Sequence, residues 1–298
     1  MIVNGVAIQD SFAEAFGMRA TRLILTADSA AWARIAAKNL TGFATSVIGC
    51  GCEAGIERLV PPEETPDGRP GVAVLIFAVN SAELAKQVLA RVGQSVLTAP
   101  GSACYSGLDA PETIPLGKSL RFFGDGFQTS KQILGRRYWR VPVMDGEFVV
   151  EDSVGMVRGV GGGNLLVLGE SRAEVLAATE RAVAAIRELP NVILPFPGGI
   201  VRSGSKIGSR YKGLIASTND AYCPTLKGMT ASRLEDAIGS VLEIVIDGLT
   251  QEDVAAAMRA GIAVLCAVGA AGGVRRIDAG NYGGKLGPFQ FHLRELAP

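Results

Sequence analysis

"RLILTADS" (22–29) and "NLLVLGES" (164–171) decide how this chain is read. Each runs an apolar, strand-like stretch into a serine suited to cap a helix. Ser29 and Ser171 lie 142 residues apart. "IQDSF" (8–12) and "VEDSV" (150–154) resemble each other at the same offset, Ser11 to Ser153. Two pairs at one spacing point to an internal duplication, with lobes at 1–144 and 145–298.

Each half reads as two strand–helix–strand units. In the first half a strand at 23–26 leads into a helix with Trp32, Ile35, Ala36 and Leu40 on one face and Gly42 as its stop. "FATSVIG" (43–49) is expected to return as a strand. "VAVLIFAV" (72–79) is the next strand. Asn80, with Glu83 three residues on, opens a helix bearing Leu84, Val88 and Val92, and Gly93 should stop it before a return strand "SVLTA" (95–99). In the second half "LLVLG" (165–169) precedes a capping box of Ser171 and Glu174, and the helix runs toward Pro190. "NVILPFP", then "VLEIVIDGL" (241–249), then a Thr250-capped helix with Val254, Met258, Ile262 and Leu265 follow; "GVRRIDAG" (273–280) closes the unit. The order predicts an α+β chain of two similar ferredoxin-like (split βαβ) lobes, helices on one face of each antiparallel sheet.

Composition narrows the function. Apolar residues make up 48% of the 298, charged residues only 19%, and mean hydropathy is +0.28. Such a chain can bury a large core and further surface in subunit contacts. Lys+Arg and Asp+Glu are both 29, which argues against a nucleic-acid binder. The weakly charged run at 260–273 is too short and too rich in Gly to span a bilayer. The start "MIVNGVAIQD" lacks the basic and apolar regions of a secretory signal, and five Cys read as reduced thiols, so a cytoplasmic protein is expected.

Common chemical motifs are poor. "GCGCEAG" (49–55) outlines a dinucleotide fingerprint, but a Pro-rich loop follows where a helix N-terminus should receive the pyrophosphate. Cys50 and Cys52 have no second Cys pair or His nearby, so no metal is expected. His292 is the only histidine and has no sequence-adjacent partner; its role stays open. Proton transfer would then fall to carboxylate, Lys, Tyr or Cys.

Four polar stretches are long for turns: 60–71, "FFGDGF" (122–127), 195–212 and "STNDAYCPT" (217–225). The third gathers Arg202, Lys206, Arg210 and Lys212, a set that reads equally as a solvated loop or as a site for carboxylate or phosphate. The strand 241–249 adds one anomaly. Glu243, Val245 and Asp247 point one way, and Leu242, Ile244 and Ile246 the other. The second set suits the helices. The first faces solvent, a lobe interface or a cleft, and Glu243 is either a surface carboxylate or a catalytic one.

Seven stretches in order, "VPPEETPDGRPGV", "FFGDG", "GEFVVEDSVG", "PFPGGIVRSGSKIGS", "STNDAYCPT", "EIVIDGL" and "AGNYGGKLG", resemble the formylmethanofuran:tetrahydromethanopterin formyltransferase family. The similarity runs from "NGVAIQDSFAEAF" (4–16) to "HL" (292–293), with departures at 101–121 and 226–240. The resemblance implies two similar lobes, a homotetramer with active sites in clefts at subunit contacts, and formyl transfer between N5 of tetrahydromethanopterin and the amine of methanofuran. Both are co-substrates, and neither a metal nor a redox cofactor is implied. The balanced charge is similar to the bacterial branch found in methylotrophs, where the protein is a subunit of a formyltransferase/hydrolase complex that carries formyl toward formate during formaldehyde oxidation. Membership of such a complex leaves a second reading, a non-catalytic scaffold subunit.

By the same resemblance Glu243, the glutamate of "EIVI", is the catalytic proton carrier. Arg202 and Lys206, with Arg210, suit the polycarboxylate tail of methanofuran or the pterin's phosphate. Phe122, Phe123 and Tyr222 suit ring stacking, with Asp125 in the turn between. Ser203, Asn219, Tyr222 and the 197–204 amides are candidate oxyanion donors, and Asp220 lies in the same substrate loop. Asp67 and Arg69 are expected to stabilise their own loop or a subunit contact.

Overall fold

A computed structural model describes residues 1–298. Two compact units divide the chain. One is Met18–Gly159; the other joins Met1–Gly17 to Val160–Pro298. Neither is the continuous half expected from the repeat.

In Met18–Gly159 the order is strand (Phe12–Thr26, its second part), helix Ala30–Thr41, strands Glu53–Val60 and Gly71–Ala78, helix Ser81–Arg91 and strand Ala103–Ser106. Phe12–Thr26 pairs antiparallel with Gly71–Ala78 (Leu23 opposite Val74) and with Ala103–Ser106 (Leu25 opposite Cys104). Glu53–Val60 lies outside Gly71–Ala78. With strands counted along the chain, the spatial order is 4-1-3-2, the split βαββαβ arrangement. Leu23, Leu25, Val72, Val74 and Ile76 are fully buried with Ala33, Leu40, Leu84 and Val88 of the two helices. Gly146–Glu151 then adds parallel to Ala103–Ser106, and the strands Arg136–Val143 and Thr129–Ile133 extend the sheet.

The other unit repeats the plan with Val154–Gly169 (its second part), helix Arg172–Arg187, Val192–Ile193, Ser240–Gly248, helix Gln251–Val268 and Arg276–Asp278. Leu165 lies opposite Ile244, Val167 opposite Ile277 and Val192 opposite Gly248, again 4-1-3-2. Its core sets Ile244 and Ile246 against Val183, Val254, Met258 and Ile262. Ser29 and Ser171 cap equivalent helices, accepting from the N–H of Trp32 and Glu174.

The unit boundary moves because each repeat's first strand leaves its own repeat. Val6–Ile8 pairs parallel with Arg276–Asp278 (Ala7 opposite Arg276), and Phe289–His292 pairs with Phe12–Ala15. The equivalent strand of the second repeat, Gly146–Glu151, pairs with Ala103–Ser106 of the first. The repeats therefore exchange opening strands, so the packed units begin and end at other residues than the sequence repeats do.

Two predicted strands are absent. Ser46 caps a single helical turn, Val47–Cys50, which Gly51 ends at φ 80°, so the return strand begins only at Glu53. At 95–99 the helix continues instead as a wide turn over Val92–Val96, and the strand waits until Ala103. Leu84, Val88, Val92 and Val96 recur every fourth residue and are all fully buried, so one helical face carries through Gly93. No helix is long and apolar enough to cross a membrane.

Candidate functional site

Strand Ser240–Gly248 turns Ile244 and Ile246 to the helices. By alternation Glu243, Val245 and Asp247 occupy the opposite face. Neighbouring strands set what meets them. Glu243 and Asp278 both lie opposite Leu166, so the three form a row across the sheet, the outer two separated by two strand spacings, roughly 10 Å. Asn164 stands opposite Val245 on the same face. On its other side Glu243 exchanges backbone hydrogen bonds with Val201 (2.7 and 2.9 Å), which brings the cationic loop to it.

The Glu243 side chain is half-buried. Burial pushes its carboxyl up to about 7, with no cation or amide donor offsetting the lost hydration. A carboxyl there exists in both protonation states near neutrality, as a group that both takes and returns a proton requires. Asp247, on the same face, is fully buried and accepts from the N–H of Gly162 at 3.0 Å.

Between Ile193 and Ser240 the chain leaves the sheet, where the first repeat has only the loop at 61–70. This insertion covers part of the Glu243 face. Tyr222 packs with Leu166, Leu168 and Ile238, and its hydroxyl donates to Asp278 Oδ2 at 2.9 Å. Burial, and then the charge of Asp278, push the phenol's pKa up. Tyr222 is thus buried with its hydroxyl already engaged, which corrects its expected use as a ring-stacking face: it pins the insertion to the sheet. Lys206 Nζ meets Asp220 Oδ1 at 2.7 Å, tying two polar loops together. Asn219 is half-buried, while Arg202 and Ser203 are exposed.

Phe122, Phe123 and Asp125 belong to the Met18–Gly159 unit. Both rings are about two-thirds exposed, at 67% and 66%, and so available for contact. Phe123 borders an apolar groove of about 740 Å³ with Leu97, Pro100, Pro142 and Met144. Asp125 takes the left-handed conformation that turns the chain (φ 50°). Asp67 and Arg69 stabilise their own loop. Asp67 Oδ2 accepts from Thr26, Tyr105 and Arg69, and Arg69 also reaches Asp28.

The residues reasoned from sequence left out the other border of the Glu243 face. After Asp278 the chain crosses as "AGNYGGKLG" (279–287). Asn164 grips Gly280 twice, donating to its carbonyl at 3.1 Å and accepting from its N–H at 2.6 Å. Glu14, 1% exposed, then accepts four backbone N–H bonds: Tyr282 (2.7 Å) and Gly284 (2.9 Å) on Oε2, Leu286 (2.6 Å) and Gly287 (2.7 Å) on Oε1. Burial pushes the Glu14 carboxyl up, but the four donors outweigh it and hold it below the usual value. Gly287 has to be glycine, since a Cβ would stand 2.2 Å from the carbonyl of Ala15. Both halves of this device are distinctive in the sequence, as "FAEAF" and "NYGGKLG", but nothing in the linear chain joins them.

The fold and this face define a chain with a two-lobed α+β scaffold and a protonatable carboxyl beside exposed cations, as suits transfer of an acyl group between anionic substrates. Two family models match it: "Formylmethanofuran-tetrahydromethanopterin formyltransferase" over residues 1–143, and "FTR, proximal lobe" over 146–296. The chain belongs to the formylmethanofuran-tetrahydromethanopterin formyltransferase family. It is 64% identical over 296 residues to the enzyme of that name from Methylococcus capsulatus, with 99% of each chain covered. It is 55% identical to a subunit of the formyltransferase/hydrolase complex of Methylorubrum extorquens, covering 99% of this chain and 96% of that one. A crystal structure of that complex with methylofuran contains a chain matched with TM-score 0.97, covering 99% and 98%. The formyltransferase structure from Methanosarcina barkeri matches with TM-score 0.93 at 48% identity, covering 99% and 100%.

Proposed function

We propose that this chain transfers a formyl group between N5 of tetrahydromethanopterin and the primary amine of methanofuran, with Glu243 as proton carrier. The observation that carries the role is the half-buried carboxyl raised to about 7, one residue pair from the start of the cationic loop. In the direction from formylmethanofuran, N5 attacks the formyl carbon, a C–N bond forms and the carbonyl pair moves to oxygen. Glu243 takes the proton that N5 must lose. The intermediate collapses, the C–N bond to methanofuran breaks, and the same carboxyl returns the proton to the departing amine. The reverse follows by microscopic reversibility. No group of three or more His, Cys, Asp or Glu stands where it could hold a metal ion.

Exposed Arg202, Arg210 and Lys212, none in an ion pair within the chain, are suited to the anionic ends of the substrates. Phe122 and Phe123 are the aromatic faces we assign to substrate contact, with Asp125 shaping their turn. Ser203, Lys206, Asn219 and Asp220 build the loop pair beside Glu243. We further assign the chain to a homotetramer that docks with the other subunits of a formyltransferase/hydrolase complex in the cytoplasm, in the direction of formaldehyde oxidation; the relative that is a subunit of such a complex supports the docking.

The test is a two-substrate assay on the purified chain, following N5-formyl pterin by absorbance, with Glu243→Gln in parallel. Transfer by wild type and loss of at least roughly 100-fold in the variant is the expected result. Equal turnover by both discards the role of Glu243. No transfer by wild type, alone or with partner subunits, would leave a scaffold.

A further inference from the structure

The face around Glu243 has a proton carrier, but Tyr222, one of the side chains suited to meet the oxygen that becomes negative in the tetrahedral intermediate, is committed to Asp278, while Ser203 and Asn219 stand on the cationic and polar loops. The 279–287 segment supplies another. Tyr282 is 38% exposed, its ring tilted against Phe16 at 6.0 Å between centroids. Its backbone is fixed on both sides, by Asn164 through Gly280 and by Glu14 through its own N–H. Asn164 is on the Glu243 face, so the segment starts out across that face.

The architecture of the anchor is itself informative. A carboxylate at 1% exposure that spends both oxygens on four amides of one short segment is a costly device for holding an ordinary surface loop. It fixes the backbone that presents Tyr282, leaving the phenol little freedom beyond its own rotamers.

We propose that Tyr282 is a catalytic residue whose phenol donates a hydrogen bond to the formyl oxygen as it takes on charge, and that Glu14 is the positioning residue that holds it there. This rests on the formyl-transfer reading above. The phenol forms no covalent bond and keeps its proton throughout. Its electrostatic surroundings agree: burial first, then the charges of Glu243 and Glu14, push its pKa up, so it stays a donor across the neutral range.

Steady-state kinetics on the full chain separate the outcomes, using Tyr282→Phe, Glu14→Gln and the double variant. Loss of one oxyanion donor predicts a kcat reduced roughly 100-fold in Tyr282→Phe, with both KM values little changed. Glu14→Gln should lower kcat by about tenfold with the same split, and by no more than about twofold further in the Tyr282→Phe background, because it acts through that phenol. Should Glu14→Gln melt too early to assay, Glu14→Asp, which keeps the charge and withdraws the cradle by one methylene, takes its place. A Tyr282→Phe rate near wild type overturns the proposal, and so does an equal Glu14→Gln loss in both backgrounds, the mark of a merely structural carboxylate. Wild type without formyl transfer would instead overturn the underlying function.

Discussion

Glu243 occupies in the second repeat the position that Ala73 occupies in the first. Glu243 lies opposite Leu166 and Ala73 opposite Ile24, and Leu166 and Ile24 are themselves related by the 142-residue offset. Ala73 is fully buried, between Ile24 and Arg58 of the neighbouring strands. One copy of the fold closes this position; the other opens it with a carboxyl and a long insertion. The carboxyl we propose as proton carrier is thus present in one repeat and absent from the other.

That contrast makes Glu243 a group that opposes stability. Its pKa in the fold, about 7, is above the ordinary 4.5, so the folded chain keeps a proton that the unfolded chain releases. The contribution is fully present below the ordinary value and is lost as pH rises through about 7. Glu243→Gln should therefore melt above wild type at pH 8 and level with it below pH ~4. Melting curves across that range check the sign; a wild type more stable than the variant at pH 8 would refute it.

Asp67 has the opposite sign. Burial alone would raise its pKa, but Thr26 and Arg69 bring it below the usual carboxylate value. Its contribution is present above the unfolded value and lost as pH falls through the lower folded one. Asp67→Asn should cost about 1–3 kcal/mol at neutral pH, and the gap from wild type should narrow in acid. Denaturant titrations at two pH values read it directly.

Tyr222→Phe removes the donor to a buried carboxylate while leaving the ring packed against Leu166 and Leu168. A loss of about 1–2 kcal/mol is expected, a fall in melting temperature of about 2–8 °C. Insertion residues 202–233 should also become easier to cleave, which limited proteolysis detects.

Arg202 follows directly after the residue that bridges Glu243. Arg202→Ala should raise KM for one anionic substrate by roughly tenfold and leave kcat nearly unchanged. Separate titration of the two substrates identifies which. An equal rise for both would argue for a general field effect.

Periodicity made the strand bearing Glu243 and four of the long helices legible, because alternation and serine, threonine or asparagine caps are local signals. The strands expected at 43–49 and 95–99 failed for local reasons as well: Ser46 with Gly51 encodes a capped turn, and Val96 continues a helical face. The exchange of opening strands was not legible, because Ala7 meets Arg276 only in three dimensions. Glu14 was missed for the same reason. A lone glutamate in an apolar strand looks alike whether water or four amides await it. Family resemblance pointed to Glu243, while its row with Leu166 and Asp278 required register.

The exchanged strands also bear on synthesis. Val6–Ile8 is made long before its partner Arg276–Asp278. The unit that carries Glu243 cannot close its sheet until Arg276–Asp278 has been made, whereas Met18–Gly159 has every strand it needs far earlier. Until then the edge of Val6–Ile8 that meets Arg276–Asp278 is unpaired and must be kept from other chains. Nascent chains stalled before residue 276 should therefore present a folded supporting unit and a non-functional, aggregation-prone remainder.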